Sequence, residues 1–266
     1  MNFKEQLIIK FASVLNINIL GTAYKSRGIG LPNDFRKNGE QYFIKNILDR
    51  LLRKKNDLIF FDVGQNKGDY TQALIDFYPN ANIHGFEPNH HLSDKLADRF
   101  KNHPNVYLNN FGLGTKREKL SLFITKMDNT TGHGSIFKQV MTDLHNNQSN
   151  VEEIEIDLNT LSNYCKEQNI SYIDFLKIDV EGNELSVLQG AGNLIDQIKI
   201  IQFEFNEMNI ISRCFLKDFY DLMPNFDFYR QLPNGLFPLG LYSSKHESFI
   251  IQNLVAIQKK MVKQKI

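Results

Sequence analysis

Two rhythms of apolar residues alternate along this chain: short continuous runs, and polar stretches whose apolar positions recur at helical spacing. LIFFDV (58–63) predicts a buried strand, and GDYTQALIDFYP after it a helix stopped by Pro79. ANIHGFEP predicts a second strand, HLSDKLADRFKN its helix, and VYLNNFGLG a third strand. Later, LNTLSNYCKEQN reads as a helix, IDFLKIDV as a buried strand, NELSVLQGAGNLI as a helix ending in glycines, and IKIIQFEFN as another buried strand. Between these two blocks the pattern changes. KLSLFIT and VEEIEIDL alternate polar and apolar residues as half-exposed strands do, separated by a polar segment, 126–150, rich in Asn, Gly, Thr and His. DFYRQL and SFIIQNLVAIQ close the chain as an antiparallel strand pair.

Strands alternating with helices imply a mostly parallel sheet covered on both faces. The expected fold is therefore α/β, Rossmann-like and doubly wound, with the antiparallel pair at its C-terminal end. Residues 57–260 form the expected domain, and 1–56 an N-terminal helical segment. Within that segment EQYFIKNILDRLLRKK (40–55) predicts a helix with a basic last turn. The first residues predict an amphipathic helix with Phe3, Leu7, Phe11 and Val14 along one stripe. This stripe is expected to pack on the domain or on a second subunit, which makes a homo-oligomer the protein partner to look for.

Composition narrows the classes. Thirty-one Lys and Arg stand against 30 Asp and Glu, so no overall basic field gathers nucleic acid. A hydrophobic fraction of 42% suits a chain that buries a core. Glu5 and Lys10 interrupt the N-terminal apolar run and no small-residue cleavage site follows, so no signal peptide is expected. No stretch reaches the roughly 18 uncharged apolar residues of a transmembrane helix. Cys165 and Cys214 lie far apart without CxxC spacing, and the cytoplasm is the expected location.

Ligands of doubly wound sheets bind beyond the carboxyl ends of the strands, near the switch point. The first exit reads Asp62-Val-Gly64-Gln-Asn66-Lys-Gly68-Asp-Tyr70. Its glycines let the backbone approach a ligand, and the helix N-terminus beyond offers free amides; the same glycines also serve simply to make the turn. Asn66 at the middle position departs from GxGxxG and argues against a dinucleotide pyrophosphate. Glu87, fixed by Pro88 at the second exit, can accept hydrogen bonds from the vicinal hydroxyls of a ribose, or be a solvated or capping carboxylate. Together the two exits describe a nucleoside ligand without a phosphate clamp, which S-adenosylmethionine fits.

The fourth exit crowds Asp179, Glu181 and Glu184. Such acids can balance a sulfonium, remove an acceptor proton or hold a metal. They can also favour a helix start, with Asp179 as N-cap. The helix-dipole role is preferred for Glu184 and function for Asp179. The fifth exit adds Glu204, Asn206 and Glu207, suited to an acceptor's hydroxyls. His133, in the 126–150 segment, and His246 are candidate acid/base groups, although lone loop histidines are more often only exposed. His90 and His91 open a surface helix, and Cys165 lies on an apolar helix face. No Ser-His-Asp, HxH or CxxC arrangement occurs, and no metal site is expected.

DVGQNKGDYT, FEP, FGLG and FLKIDVEGNELSVLQGAGNLI, spanning about residues 58 to 206, resemble the FkbM-type methyltransferases, a branch of the Rossmann-like (class I) S-adenosylmethionine enzymes. The LKIDVEGNE…VLQGA segment is the most specific part. The resemblance implies that Asp62, Gly64, Asn66 and Gly68 surround the methionine end of the cofactor, with Tyr70 beside them. Glu87 and Pro88 would border the ribose, Asn109 or Asn110 the adenine, and Asp179 and Glu181 the methyl group and acceptor. Gln65 stands where the family commonly has Ala, and its side chain is expected to point outward. The family often has a His after the fifth strand, where this chain has Glu204-Phe-Asn206-Glu207, which leaves the base open among Asp179, Glu181 and His133.

The implied reaction is an in-line methyl transfer to a hydroxyl oxygen of a sugar, glycan or other small-molecule acceptor. Catalysis would rest mainly on alignment, with a general base adding about 10²–10⁴-fold. Spacing does not demand a metal held by Asp179 with Glu204 or Glu207. The 126–150 segment is expected to cover the acceptor. Rival readings are a nicotinamide oxidoreductase, a protein methyltransferase and a non-catalytic nucleoside binder.

Overall fold

The computed structural model describes residues 2–52, 57–125, 134–144 and 150–262. Three strands open the α/β body: β1 (Ile59–Val63), β2 (Asn82–Phe86) and β3 (Val106–Asn109). A second group follows, β4 (Gly112–Leu113), β5 (Glu118–Thr125), β6 (Gly134–Ser135) and β7 (Val151–Asn159). β8 (Ile173–Ile178) and β9 (Ile198–Phe205) resume the first pattern, and β10 (Phe226–Leu232), β11 (Gly235–Pro238) and β12 (Gln252–Gln258) close it.

The main sheet runs β11-β10-β12-β9-β8-β1-β2-β3. From β3 to β9 neighbouring strands are parallel, while β12 is antiparallel to both β9 and β10. Strand order reverses between β1 and β8, so the switch point lies where Asp62 faces Lys177 in register. Alternate residues enter opposite faces, as strand geometry requires. Phe61, Leu176 and Ile201 enter one core and Phe60, Phe175 and Ile200 the other. The second core also takes Phe43, Ile44 and Leu48 from the helical turns Glu40–Tyr42, Phe43–Leu48 (π-helical) and Asp49–Leu52. The helix before residue 57 thus packs in the same core as the strands after it.

Three sequence expectations are corrected. VYLNNFGLG is two strands: β3 ends at Asn109, and Gly112–Leu113 pairs with β7 in a separate sheet ordered β4-β7-β5-β6. Of the polar 126–150 segment, residues 134–144 and 150 are described, and they carry secondary structure. Gly134–Ser135 pairs with β5, and Val140 and Met141 are buried against Met208. The N-terminal stripe does not pack on the domain. The helix Phe3–Val14 forms with an Asn2–Glu5 capping box, but Phe3, Leu7, Phe11 and Val14 are all exposed.

Candidate active site

The first exit is stitched to its neighbours by backbone. Gly64 and Gln65 both donate to the Phe86 carbonyl at 3.0 Å, and Asp179 N–H donates to the Val63 carbonyl at 2.9 Å. Gly64 has a left-handed φ of 80°, and a Cβ there would lie 1.7 Å from the Asp179 carbonyl oxygen. Gly68, at φ 83°, has Leu96 and Phe100 where its Cβ would be. Both glycines are required by close approach as well as by conformation.

Asn66, also left-handed, gives its backbone N–H to Glu87 Oε2 at 2.8 Å, and Asn89 N–H donates to Glu87 Oε1 at 2.9 Å. Burial raises the Glu87 carboxyl to about 7, against the lowering effect of these two donors. Glu87 therefore shapes the glycine loop and faces the ligand side at once.

Gly64, Asn66, Glu87, Pro88, Asp179 and Glu181 line one cleft. Its far wall is the second sheet: Leu122, Ile124, Ile156 and Leu158 turn their apolar side chains into it, joined by Leu113. The sequence reading missed this wall. Alternation in β5 and β7 marks an apolar face, but not what that face covers.

Other expected ligand contacts lie elsewhere. Asn110 donates to the Glu87 and Pro88 carbonyls at 2.9 and 3.2 Å, and Asn109 to the Gly85 carbonyl at 3.0 Å, so both support the second exit from outside the cleft. Tyr70 is buried in the second core, its ring stacked on Phe175 and its hydroxyl donating to Gln202 Oε1 at 2.5 Å. Gln65 points inward, against expectation. It is 3% exposed and donates to Thr71 Oγ1 at 2.8 Å, which donates to Asp62 Oδ2 at 2.7 Å. Asp62, with no exposed surface, thus sits beneath the cleft floor.

The floor is organised by Lys177. Its ammonium lies 3.1 Å from Asp179 Oδ2, 4.0 Å from Asp62 Oδ1 and over the Tyr70 ring. Burial pulls its pKa down, but Asp179, Asp62 and Glu40 outweigh burial and the net shift is upward. Lys177 is locked as a cation. A lysine inside the run FLKIDV was the available signal, since a charge in a buried strand needs partners. Asp179 is this partner and not a helix cap: the helix Glu184–Gln189 starts at Asn183 without a side-chain cap. Glu184 is nearly fully buried and its Oε1 accepts the Val180 and Gly182 N–H groups of the loop before the helix. Burial raises it to about 7.

At the fifth exit Asn206 donates to Glu204 Oε2 at 2.7 Å, and its own oxygen accepts Met208 N–H. Asn206 is a support, and Glu207 is exposed. Glu204 is pushed well up, first by burial, then by the Asp179, Glu181 and Glu184 charges. It borders a second, smaller hollow with Asn33, Asn38 and Asn253. His246 Nδ1 accepts from Ser243 N–H at 3.3 Å in a turn away from both hollows. His133 lies outside the described residues. Among the described residues, no three His, Cys, Asp or Glu are grouped as metal ligands.

A parallel sheet reversing at β1 and β8, closed by antiparallel β12 beside β9, with a glycine loop and acids at its switch-point edge, defines a class I methyltransferase. The methyltransferase FkbM domain matches residues 62–232, and the chain belongs to that family. Its relatives include 2-O-methyltransferase NoeI of Sinorhizobium fredii, 20% identical over 192 residues, covering 70% of this chain and 79% of that one. Methyltransferase 1 of Beauveria bassiana is 26% identical over 162 residues, covering 54% of this chain and 64% of that one. Hexuronic acid methyltransferase AglP of Haloferax volcanii is 27% identical over 169 residues, covering 63% of each chain. The chain thus spans slightly under two thirds of the latter two.

Proposed function

We propose that this protein transfers a methyl group from S-adenosylmethionine to a hydroxyl oxygen of a sugar-containing acceptor, forming a methyl ether. The observation that carries the reading is the crowding of Asp179, Glu181 and Glu204 around the β8 and β9 exits, with Lys177 as the buried counter-charge. Such a setting repels an anionic acceptor oxygen and suits a neutral hydroxyl that must lose a proton.

The residues of the cleft fit the cofactor. Glycine at position 64 lets the β8 exit and Asp179 close on the glycine loop, Glu87 offers acceptor capacity for a ribose diol, and the apolar wall from Leu122 to Leu158 suits an adenine ring. When bound, S-adenosylmethionine supplies an electrophilic methyl group on a sulfonium. The protein's own residues supply the rest. Asp179 accepts the hydroxyl proton at its carboxylate, and Lys177 holds that carboxylate toward the cleft edge at 3.1 Å. Glu204, whose carboxyl is pushed well up by burial and then by the Asp179 and Glu181 charges, offers its oxygens to acceptor hydroxyls at the β9 exit. The apolar wall excludes water from the cleft. Residues 57–260 act as the catalytic domain, with the preceding helical turns completing its floor through Glu40.

Calorimetric titration with S-adenosylhomocysteine and with NAD tests the cofactor. A methyl-transfer screen over nucleotide-sugars, glycans and glycolipids tests the acceptor. Binding of NAD in place of S-adenosylhomocysteine overturns the first assignment, and transfer confined to peptide acceptors overturns the second.

A further inference from the structure

Outside the lining of the cleft, the helix Phe3–Val14 and the helix Ile19–Ser26 carry much of the molecule's exposed apolar surface. Phe3 is 79% exposed, Phe11 66% and Val14 76%, and Leu7, Ile8, Leu15, Ile17 and Leu20 are exposed beside them. Water-facing apolar surface of this extent marks an interaction site.

Helical geometry orders these residues. At about 100° per residue, Phe3, Val14, Leu7 and Phe11 fall within about 80° of arc. Lys10 and Lys4 then stand about 20° beyond the two borders of that arc. Ile8 lies beyond Lys4, and Ile9, Glu5 (the one acid) and the buried Ala12 lie on the opposite side, where Glu5 is occupied by the Asn2 N–H of the cap. Lys25 and Arg27 follow in the second helix and its C-cap. An apolar stripe bordered by lysines is the arrangement in which aliphatic stems lie along an apolar phase and ammonium heads reach polar, anionic groups.

We propose that this helix pair docks the protein on the surface of an anionic lipid bilayer. Its geometry suits lying on a bilayer, not crossing one. The first helix has 12 residues. At 1.5 Å per residue it spans about 18 Å, well short of the roughly 30 Å hydrocarbon core. The second helix departs from it at 106°. Charge also separates a bilayer from a second copy of the chain. A two-fold pairing of the same stripe gathers the Lys4 and Lys10 of both copies at one interface with the helix's one acid, Glu5, on the far side, whereas anionic headgroups neutralise them.

The test is co-sedimentation of the full chain with phosphatidylcholine vesicles, with and without phosphatidylglycerol. The chain is expected to pellet only with the mixed vesicles, and to be released by salt, which screens exposed charge. Lys4→Glu with Lys10→Glu should weaken binding on the order of tenfold or more. Phe3→Ser with Leu7→Ser and Phe11→Ser should abolish it. Both variants should keep the wild-type melting temperature, because these side chains lie outside the cores. The proposal is overturned if the full chain stays in the supernatant with mixed vesicles, or binds both vesicle types equally. It is also overturned if the serine variant splits a solution dimer that ignores vesicles, which makes a second copy the occupant.

Discussion

Gly64 and Asp179 meet at backbone level: a Cβ on Gly64 would stand 1.7 Å from the Asp179 carbonyl oxygen. The loop after β1 and the loop after β8 are therefore one unit. Gly64→Ala must either push the β8 exit away or abandon the left-handed φ. The conformational strain alone is about 1–2 kcal/mol, and displacement of the Asp179 backbone adds to it. Gly192, also at positive φ, has nothing within 4 Å of its virtual Cβ. Gly192→Ala should therefore cost only the strain. Thermal melts and S-adenosylhomocysteine titrations of the pair check this, with loss of binding expected in Gly64→Ala alone.

Asp179→Asn keeps the side chain's shape and removes the charge that faces Lys177. Turnover should fall by about 10²–10⁴-fold, the usual worth of a general base. Because Asp179 is paired with a buried cation and is not a replaceable cap, the melting temperature should fall as well. S-adenosylhomocysteine affinity should change little. Turnover within a few-fold of wild type in this variant, and in its double with Glu181→Gln, would move the base elsewhere.

Glu87→Ala removes a charged acceptor, worth roughly 1.5–3 kcal/mol in such hydrogen bonds. S-adenosylhomocysteine affinity should drop by about 10- to 150-fold, with part of the loss arising from Asn66, whose N–H it anchors. Its carboxyl is raised to about 7, so wild-type affinity should weaken as the pH falls through neutrality and the carboxylate is protonated. Affinity that ignores pH in this range removes Glu87 from the ribose site.

Glu87 and Glu184 both stand at about 7 in the fold against an ordinary 4.5. The folded chain thus holds their protons more tightly than the unfolded chain. Their contribution to stability is fully present below the ordinary value and is lost as the pH rises through about 7. Glu184→Gln should accordingly flatten the decline in melting temperature between about pH 5 and about pH 8. An unchanged slope contradicts the burial of Glu184 as a titrating group.

Much of this architecture was legible in the sequence. IFFDV, IDFLKI and IIQFEF read as strands because both of their faces are buried, and the polar residues that end them mark the ligand edge. Gly64, Asn66, Glu87 and Asp179 followed from that rule and do line one cleft. What failed was directional. Tyr70 and Asp62 share the loop's sequence neighbourhood, but helical and strand geometry turn them beneath the floor. Loop position alone directs Gln65 to solvent, yet Gly85 across the sheet leaves room for it, a Cβ there coming within 2.3 Å of the Gln65 side chain. The Leu122–Leu158 wall depends on where a second sheet docks, which local periodicity does not encode.

The most direct measurement is transfer of a radiolabelled methyl group from S-adenosylmethionine to purified nucleotide-sugars and glycans, followed by mild alkali. The account predicts label in the sugar that survives alkali, as an ether does, and that is lost in Asp179→Asn. Label released by alkali means an ester on a carboxylate acceptor, which needs no base and contradicts the role given to Asp179 and its acidic neighbours.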